Sequence, residues 1–230
     1  MSKSRIPSVV AASLLASAGM AHAQAPAFPS KPVRIVVPYA PGGATDIVAR
    51  IVGEEMRKVT GQPFIIESKV GAGGIVALEE MLKSKDGYTL MVGNVTTNTI
   101  TPIIDAKKLR FDYKKEVVPI QRLADVAAVV VTTAVNFAPK NLKELVELSK
   151  KMPGKVRYGT VGPGSYPHFD AAYLARKGGN LDMNAIHNKA GASGVINDLV
   201  TGDTQFAFLN AASTISMVKA GKMKAIAVIA

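Results

Sequence analysis

Two patterns of hydrophobic and polar positions alternate along the chain. Short apolar runs such as Val33–Pro38 predict buried β-strands, because they are brief and rich in β-branched residues. Longer segments such as Thr45–Thr60 carry apolar residues every three or four positions, which predicts amphipathic helices, and Gly61 is a typical residue at a helix end. The repeated alternation of strand and helix predicts an α/β protein in which helices cover both faces of parallel sheets.

The rest of the chain follows the same two patterns. Further strands are predicted at Pro63–Glu67, Tyr88–Val92, Pro119–Arg122, Val126–Thr132, Val156–Gly159, Asn184–His187, Gln205–Leu209 and Lys224–Ile229. Further helices are predicted from Ile75 onward and over Leu142–Lys150, Ser165–Lys177, Val195–Val200 and Ala212–Ala220. The alternation restarts in the extended run near residues 125–132, so we predict two domains, residues 24–125 and 126–230.

The N-terminal segment has the composition of a secretory signal peptide. Lys3 and Arg5 precede a short apolar segment, Val9–Ala18, and Ala21-His22-Ala23 has the small residues of a cleavage site. The apolar segment is too short to span a bilayer. We therefore expect export, cleavage after Ala23 and a periplasmic location.

Composition narrows the possible functions. The chain has no cysteine, which excludes disulfides, a lipid-anchor cysteine, a thiolate nucleophile and a cysteine metal site. Its formal charge is +11, of which Lys3 and Arg5 of the leader contribute 2. The basic residues are scattered and do not alternate with aromatic residues, so we expect a solvated surface that attracts anions and no binding of nucleic acid.

Neutral polar and small residues follow several of the predicted strands. Because ligands bind at the carboxyl ends of strands in open α/β sheets, these loops form the candidate site. Hydroxyls, amides and the free N–H groups of helix starts suit a polar anion. The candidate residues are Tyr39, Pro41, Gly42, Gly43, Thr45, Asp46, Asn94, Thr96, Thr97, Asn98, Gly164, Ser165, Tyr166, His168, Lys189, Ala190, Gly191 and Asn210.

Several candidates also have a structural interpretation. Thr45 is a good N-cap, and an early acid such as Asp46 more often stabilises the positive end of a helix than contacts a ligand. Lys189 faces either a ligand carboxylate or solvent. Tyr39 and Tyr166 either line a cleft or pack in ordinary half-buried positions.

Enzymatic chemistry has little support in the sequence. Only His168 and His187 remain after cleavage, and a hydrolase pair of Ser165 and His168 would lack the G-x-S-x-G elbow. No phosphate-binding G-x-x-x-x-G-K-[ST] loop is present, and Gly71–Gly74 lacks the spacing of a dinucleotide loop. Two histidines without clustered carboxylates do not favour a metal site, so we expect no catalysis, no metal and no cofactor.

A series of short motifs along the chain points to one family. The motifs are Lys31–Pro38 with Pro41–Asp46, Gly71–Gly74, Asp86–Leu90, Pro153–Lys155, Gly162–Ser165 with His168, Asn197–Leu199 and Lys219–Lys222. Each is weak alone, but their order and spacing are specific. From about Phe28 to Ala230 the chain resembles the Bug (TctC-like) substrate-binding proteins of tripartite tricarboxylate transporters.

This resemblance implies a fold and a function. It implies a periplasmic binding protein type II-like fold, with two α/β lobes around a ligand cleft. It also implies capture of a small carboxylate, often through bridging water, and delivery of this organic anion to membrane permease subunits by a receptor that we expect to be monomeric. The implied contact loops are Tyr39–Asp46 and Asn94–Asn98 in the first lobe, and Gly164–Tyr166 with His168 and Lys189–Gly191 in the second.

Two departures from the family pattern leave alternatives open. His187–Gly191 replaces a Pro-Tyr-Lys-Gly type segment, so an aromatic contact is lost and the identity of the carboxylate stays open. The chain stops at Ala230, whereas family members are longer, so we expect a first lobe that lacks its returning segment and exposes apolar surface. The other hypotheses are an exported serine hydrolase that uses Ser165 and His168, and a truncated, non-functional remnant.

Overall fold

The computed structural model describes residues 28–229, and the chain from Lys31 onward forms one compact unit. The predicted signal peptide and its cleavage site after Ala23 lie outside the described residues. Within the described part, no helix is both long and apolar enough to cross a membrane. Two β-sheets organise this unit, and each packs against its own hydrophobic core.

The first sheet has three parallel strands in the order β2-β1-β3. The strands are β1 (Val33–Val37), β2 (Phe64–Ser68) and β3 (Thr89–Met91). The connecting helices are α1 (Ala44–Thr60), a 3₁₀ turn at Ala72–Gly74 and α2 (Ile75–Leu82). After β3 come a π-helical turn at Thr96–Ile100, α3 (Thr101–Ile104), a 3₁₀ turn at Ala106–Lys108 and α4 (Tyr113–Glu116). These elements form the first lobe.

The second sheet has five strands in the order β6-β5-β7-β4-β8. The strands are β4 (Ala128–Thr133), β5 (Arg157–Thr160), β6 (Asn184–His187), β7 (Phe206–Asn210) and β8 (Met223–Ile229). The helices between them are α5 (Leu142–Lys151), α6 (Tyr166–Lys177), α7 (Gly191–Thr201) and α8 (Ala211–Lys219). These elements form the second lobe, and residues 117–127 form the crossover between the lobes.

The core of the second lobe lies on both faces of its sheet. Along β4, Val129 and Val131 point to one cluster, which includes Leu199 of α7, while Val130 belongs to a second cluster with Phe206 and Leu145 of α5. Successive side chains of a strand point to opposite faces, so one apolar run supplies both clusters. The prediction that helices cover both faces is confirmed for this sheet.

The prediction of purely parallel sheets is wrong for one strand. β4 runs antiparallel to both neighbours, β7 and β8, whereas β5 pairs in parallel with β6 and β7. β4 and β5 are consecutive strands joined by α5, yet they are not neighbours in the sheet and run in opposite directions. β4 arrives from the crossover and lies between β7 and β8, and the alternation of strands and helices along the sequence does not fix its direction there.

Two other segments differ from prediction. The strand predicted at Pro119–Arg122 is irregular, exposed chain within the crossover. It has no neighbouring strand to pair with, and a proline cannot donate to a ladder. The segment after Asn94, predicted as a polar loop, instead coils into short helical turns. There Thr101 donates its hydroxyl proton to the carbonyl oxygen of Gly73 at 2.9 Å, a tertiary bond that a polar sequence does not reveal.

Candidate ligand site

The turn between β1 and α1 is held together by a buried carboxylate. Asp46 accepts hydrogen bonds from the backbone N–H of Gly42 at 3.0 Å and from the Nε and Nη2 of Arg50 at 3.0 and 2.9 Å. Burial would raise the pKa of Asp46, but the hydrogen bonds from Arg50 and Gly42 outweigh burial and lower it. Both carboxylate oxygens are thus engaged within the lobe, in agreement with the structural interpretation of this residue.

The start of α1 differs in one detail from the sequence interpretation. Its N-cap is Gly43, and Thr45 lies inside the first helical turn, so the expectation that Thr45 caps the helix is wrong. Gly43 makes no side-chain cap, which leaves N–H groups at the helix start without a side-chain partner. Gly42 adopts a φ of +85°, a backbone conformation that glycine allows in this turn.

The ends of β1 and β3 are joined by an amide. The Oδ1 of Asn94 accepts the hydroxyl proton of Tyr39 at 2.6 Å and the N–H of Thr96 at 2.9 Å. Burial raises the pKa of Tyr39 to about 12, so this hydroxyl stays protonated and donates. Thr97 is fully buried and accepts from the N–H of Asn94, whereas Asn98 is exposed.

The loop between β5 and α6 belongs to the second lobe. Ser165 is buried and donates its hydroxyl proton to the carbonyl oxygen of Gly162 at 2.6 Å. The Nδ1 of His168 accepts from the N–H of Gly164 at 3.1 Å, so this nitrogen carries no proton. Ser165 and His168 are therefore each bonded to the loop backbone, an arrangement that does not favour the hydrolase hypothesis.

A second histidine supports this loop from β6. The rings of His168 and His187 meet edge to face with centroids 5.3 Å apart, and the Nδ1 of His187 bonds to the hydroxyl of Thr160. Burial, with a smaller contribution from His168, lowers the pKa of His187. The lowered pKa favours the neutral form of His187 in this arrangement.

The loop between β6 and α7 approaches the first lobe through small residues. A Cβ on Gly191 would lie 3.6 Å from the Cβ of Ala40, and a Cβ on Gly43 would lie 3.8 Å from the Cβ of Ala192. Lys189 and Ala190 are exposed on this loop. A single methyl group at either glycine would therefore reach van der Waals contact with the other lobe.

A cavity of about 230 Å³ lies between the lobes. Its residues from the first lobe are Tyr39, Ala72, Gly73, Ile75, Thr96, Thr101, Ile104, Asp105 and Lys108, and those from the second are Val161, Gly162, Pro163, Gly164 and Ser165. It lies at the carboxyl ends of β1 and β5, where ligands bind in α/β sheets. We call it the inner cavity.

A larger cleft of about 690 Å³ lies beside the crossover. Residues 121–126 of the crossover line it, together with Val92 after β3 and Val48 of α1. Its one cationic lining residue, Arg122, is paired with Asp125. We call it the crossover cleft.

The predicted site residues fall into three groups: those that line the inner cavity, those that line the crossover cleft, and those that line neither. Tyr39, Thr96, Gly164 and Ser165 line the inner cavity. Thr45, Asn94, Asn98, Tyr166 and Asn210 line the crossover cleft. The residues that line neither are Pro41, Gly42, Gly43, Asp46, Thr97, His168, Lys189, Ala190 and Gly191. The first-lobe residues Thr101 and Lys108 were missed, because they lie in short turns without a periodic pattern.

Comparison with known proteins identifies the family. The family described as tripartite tricarboxylate transporter family receptor, TctC, matches residues 48–230. The chain belongs to this family. The resemblance inferred from the motifs is therefore confirmed for most of the chain.

Individual relatives agree with this assignment. A UPF0065 protein of Bordetella pertussis is 34% identical over 220 residues, covering 94% of this chain and 65% of that protein. A solved structure described as a periplasmic transporter is 35% identical with a TM-score of 0.82, covering 88% of this chain and 67% of that one. MatC from Rhodopseudomonas palustris, solved with bound malate, is 29% identical with a TM-score of 0.79, covering 88% and 68%.

These matches confirm the predicted periplasmic binding protein-like α/β fold, and the relatives are receptors and binding proteins rather than enzymes. The chain spans about two thirds of the length of these relatives.

Proposed function

We propose that this protein is a periplasmic receptor that binds a small carboxylate in the inner cavity and delivers it to the permease subunits of a tripartite tricarboxylate-type transporter. The single observation that carries this proposal is the inner cavity itself, which both lobes line at the carboxyl ends of their strands. Membership of the receptor family and the malate bound to MatC support the ligand class.

The size and chemistry of the cavity suit a small polar anion. Its volume of about 230 Å³ lies below the range of drug-sized ligand pockets, which begins at about 300 Å³. Glycines at positions 73, 162 and 164 allow the backbone to approach a ligand closely. Lys108 supplies the one basic lining residue, and its ammonium group is paired with Asp105 at 2.6 Å.

Thermal-shift measurements on the purified full chain test the proposal. Malate, succinate, citrate and adipate are compared with the corresponding neutral amides at equal ionic strength. We expect at least one carboxylate to raise Tm in a saturable way, because a ligand that binds only the folded state stabilises it by mass action. A folded sample whose Tm responds to none of these acids would refute the proposed function.

Two lysine variants distinguish the inner cavity from the surface. Lys108→Ala alters a residue that lines the inner cavity, whereas Lys189→Ala alters an exposed lysine outside both cavities. We expect Lys108→Ala to weaken carboxylate binding more than Lys189→Ala does. The opposite order would move the ligand to the loop between β6 and α7.

A further inference from the structure

The hydroxyl groups that line the inner cavity differ in whether they already donate a hydrogen bond within the protein. Tyr39 donates to Asn94, Thr101 donates to the carbonyl of Gly73, and Ser165 donates to the carbonyl of Gly162. A hydroxyl carries one proton, so these three offer a ligand only lone pairs in this arrangement. A carboxylate needs donors, and these three residues therefore do not supply them.

Thr96 is different from the other three. Its side chain is buried, and its Oγ1 accepts the backbone N–H of Tyr166 at 3.1 Å. In contrast to the other three hydroxyls, no hydrogen bond donated by its own proton is found among the described residues. A carboxylate is a strong acceptor, so a bound anion would receive this proton. Thr96 is therefore the hydroxyl of the inner cavity that can turn its proton to a ligand.

The bond to Tyr166 joins the two lobes. Tyr166 is the first residue of α6, so its N–H is one of the donors that a helix start leaves without a partner inside the helix. Thr96 thus caps a helix of the second lobe from the first lobe. The positive end of the helix dipole also polarises the hydroxyl, which makes it a better donor to an anion.

The same bond is connected to the crossover. The hydroxyl of Tyr166 donates to the Oδ1 of Asn210 at 2.8 Å, and the Nδ2 of Asn210 donates to the carbonyl of Val126 at 3.3 Å. Burial raises the pKa of Tyr166, so this hydroxyl remains protonated. The contact between the lobes is therefore tied to the chain segment about which they would move.

We infer that Thr96 is a positioning residue that couples carboxylate binding to closure of the lobes. In the closed arrangement its oxygen accepts from Tyr166 while its proton is donated to the ligand, and both bonds are lost when the lobes separate. This inference rests on the proposed function for the ligand. The part that concerns the lobes rests on the contact with Tyr166 alone.

Three substitutions test the inference. Thr96→Val keeps the shape and removes the hydroxyl, Thr96→Ser keeps the hydroxyl, and Thr99→Val is the matched control at an exposed threonine outside the inner cavity. Malate affinity is measured by calorimetry, and the opening of the lobes by the radius of gyration in X-ray scattering without ligand. A melting curve verifies that each variant folds, and Thr96→Ala replaces Thr96→Val if the latter does not.

We expect Thr96→Val to weaken malate binding by about tenfold, because a bond to a charged group is lost, and to enlarge the radius of gyration of the ligand-free protein. Thr96→Ser and Thr99→Val should match the wild type in both measurements. Equal values for Thr96→Val and Thr99→Val in both would overturn the inference. If the wild type binds no carboxylate, the proposed function fails, whereas the radius of gyration still tests the contact between the lobes.

Discussion

Replacement of Gly74 by alanine tests how closely the glycine turn before α2 packs against the loop after β3. A Cβ at this position would lie 2.0 Å from the Cγ2 of Thr97 and 3.3 Å from the Cβ of Pro38. Thr97 is fully buried, so it has no free space into which to move. Gly74 also has a φ of +97°, which strains any L-residue with a side chain.

The expected loss in the free energy of unfolding is the sum of these two effects, the backbone strain and the steric contact. A positive φ costs a residue other than glycine about 1–2 kcal/mol. Forcing an extra methyl group into a packed site costs about 1–3 kcal/mol more. We therefore expect Gly74→Ala to lower the free energy of unfolding by about 2–5 kcal/mol.

Gly61→Ala is the matched control. Gly61 has a φ of +73° at the end of α1, and a Cβ there would meet no atom within 4 Å. It should therefore show the cost of the backbone conformation alone, about 1–2 kcal/mol. The difference between the two variants isolates the contact with Thr97.

Urea denaturation followed by circular dichroism measures both free energies of unfolding. The reasoning predicts that Gly74→Ala unfolds at a clearly lower urea concentration than Gly61→Ala, with a similar slope. If Gly74→Ala is no less stable than Gly61→Ala, then Thr97 is not tightly packed. The arrangement of the loop that carries Asn94 and Thr96 would then need revision.

Three further outcomes are expected. Asp46→Asn should lower the free energy of unfolding at pH 7 by about 1–2 kcal/mol, because the hydrogen bonds from Gly42 and Arg50 to a charged group weaken. The lowered pKa of Asp46 makes its contribution to stability present above the ordinary Asp value of 3.8 and lost as pH falls below it, so the variant should lose less stability than the wild type over that pH range. Because the pKa of His187 is lowered in the folded state, the stability that its neutral form contributes is fully present above pH 6.5 and is lost as pH falls through the pKa of the folded state. Urea titrations at several pH values should therefore show a free energy of unfolding that falls with pH in the wild type, and a smaller fall in His187→Gln. Malate should bind more tightly than succinate in calorimetry, because its hydroxyl can donate to lone pairs such as that of Ser165; equal affinities would contradict this assignment of donors.

The sequence predicted most elements because their patterns are local. β6 has the predicted bounds, Asn184–His187, and α1 begins one residue before its predicted start. The direction of β4 could not be predicted in this way, since it depends on which strands lie beside it in the folded sheet. Likewise, no local pattern marks the π-helical turn that begins at Thr96.

Part of the candidate site could also be predicted, because its loops follow locally recognisable strands. Loops at strand ends can be located from the sequence, which is how Tyr39, Thr96 and Ser165 were found. Which of those residues share a cavity depends on how two lobes meet, and this separated Asn94 and Asn210 from them. The sequence also could not show that most of the hydroxyls already donate within the protein, because their acceptors are backbone carbonyls and an amide.

Those internal bonds bear on how a site of neutral groups holds an anion. Tyr39, Thr101 and Ser165 are fixed by their own hydrogen bonds before any ligand arrives, so ligand binding costs little side-chain entropy at these positions. They define the shape of the inner cavity and accept bonds from a ligand that carries a donor. The charge of the carboxylate must then be satisfied by Thr96, by backbone N–H groups and by Lys108. Because Thr96 is itself bonded to Tyr166, the group that recognises the anion is also the group that joins the lobes.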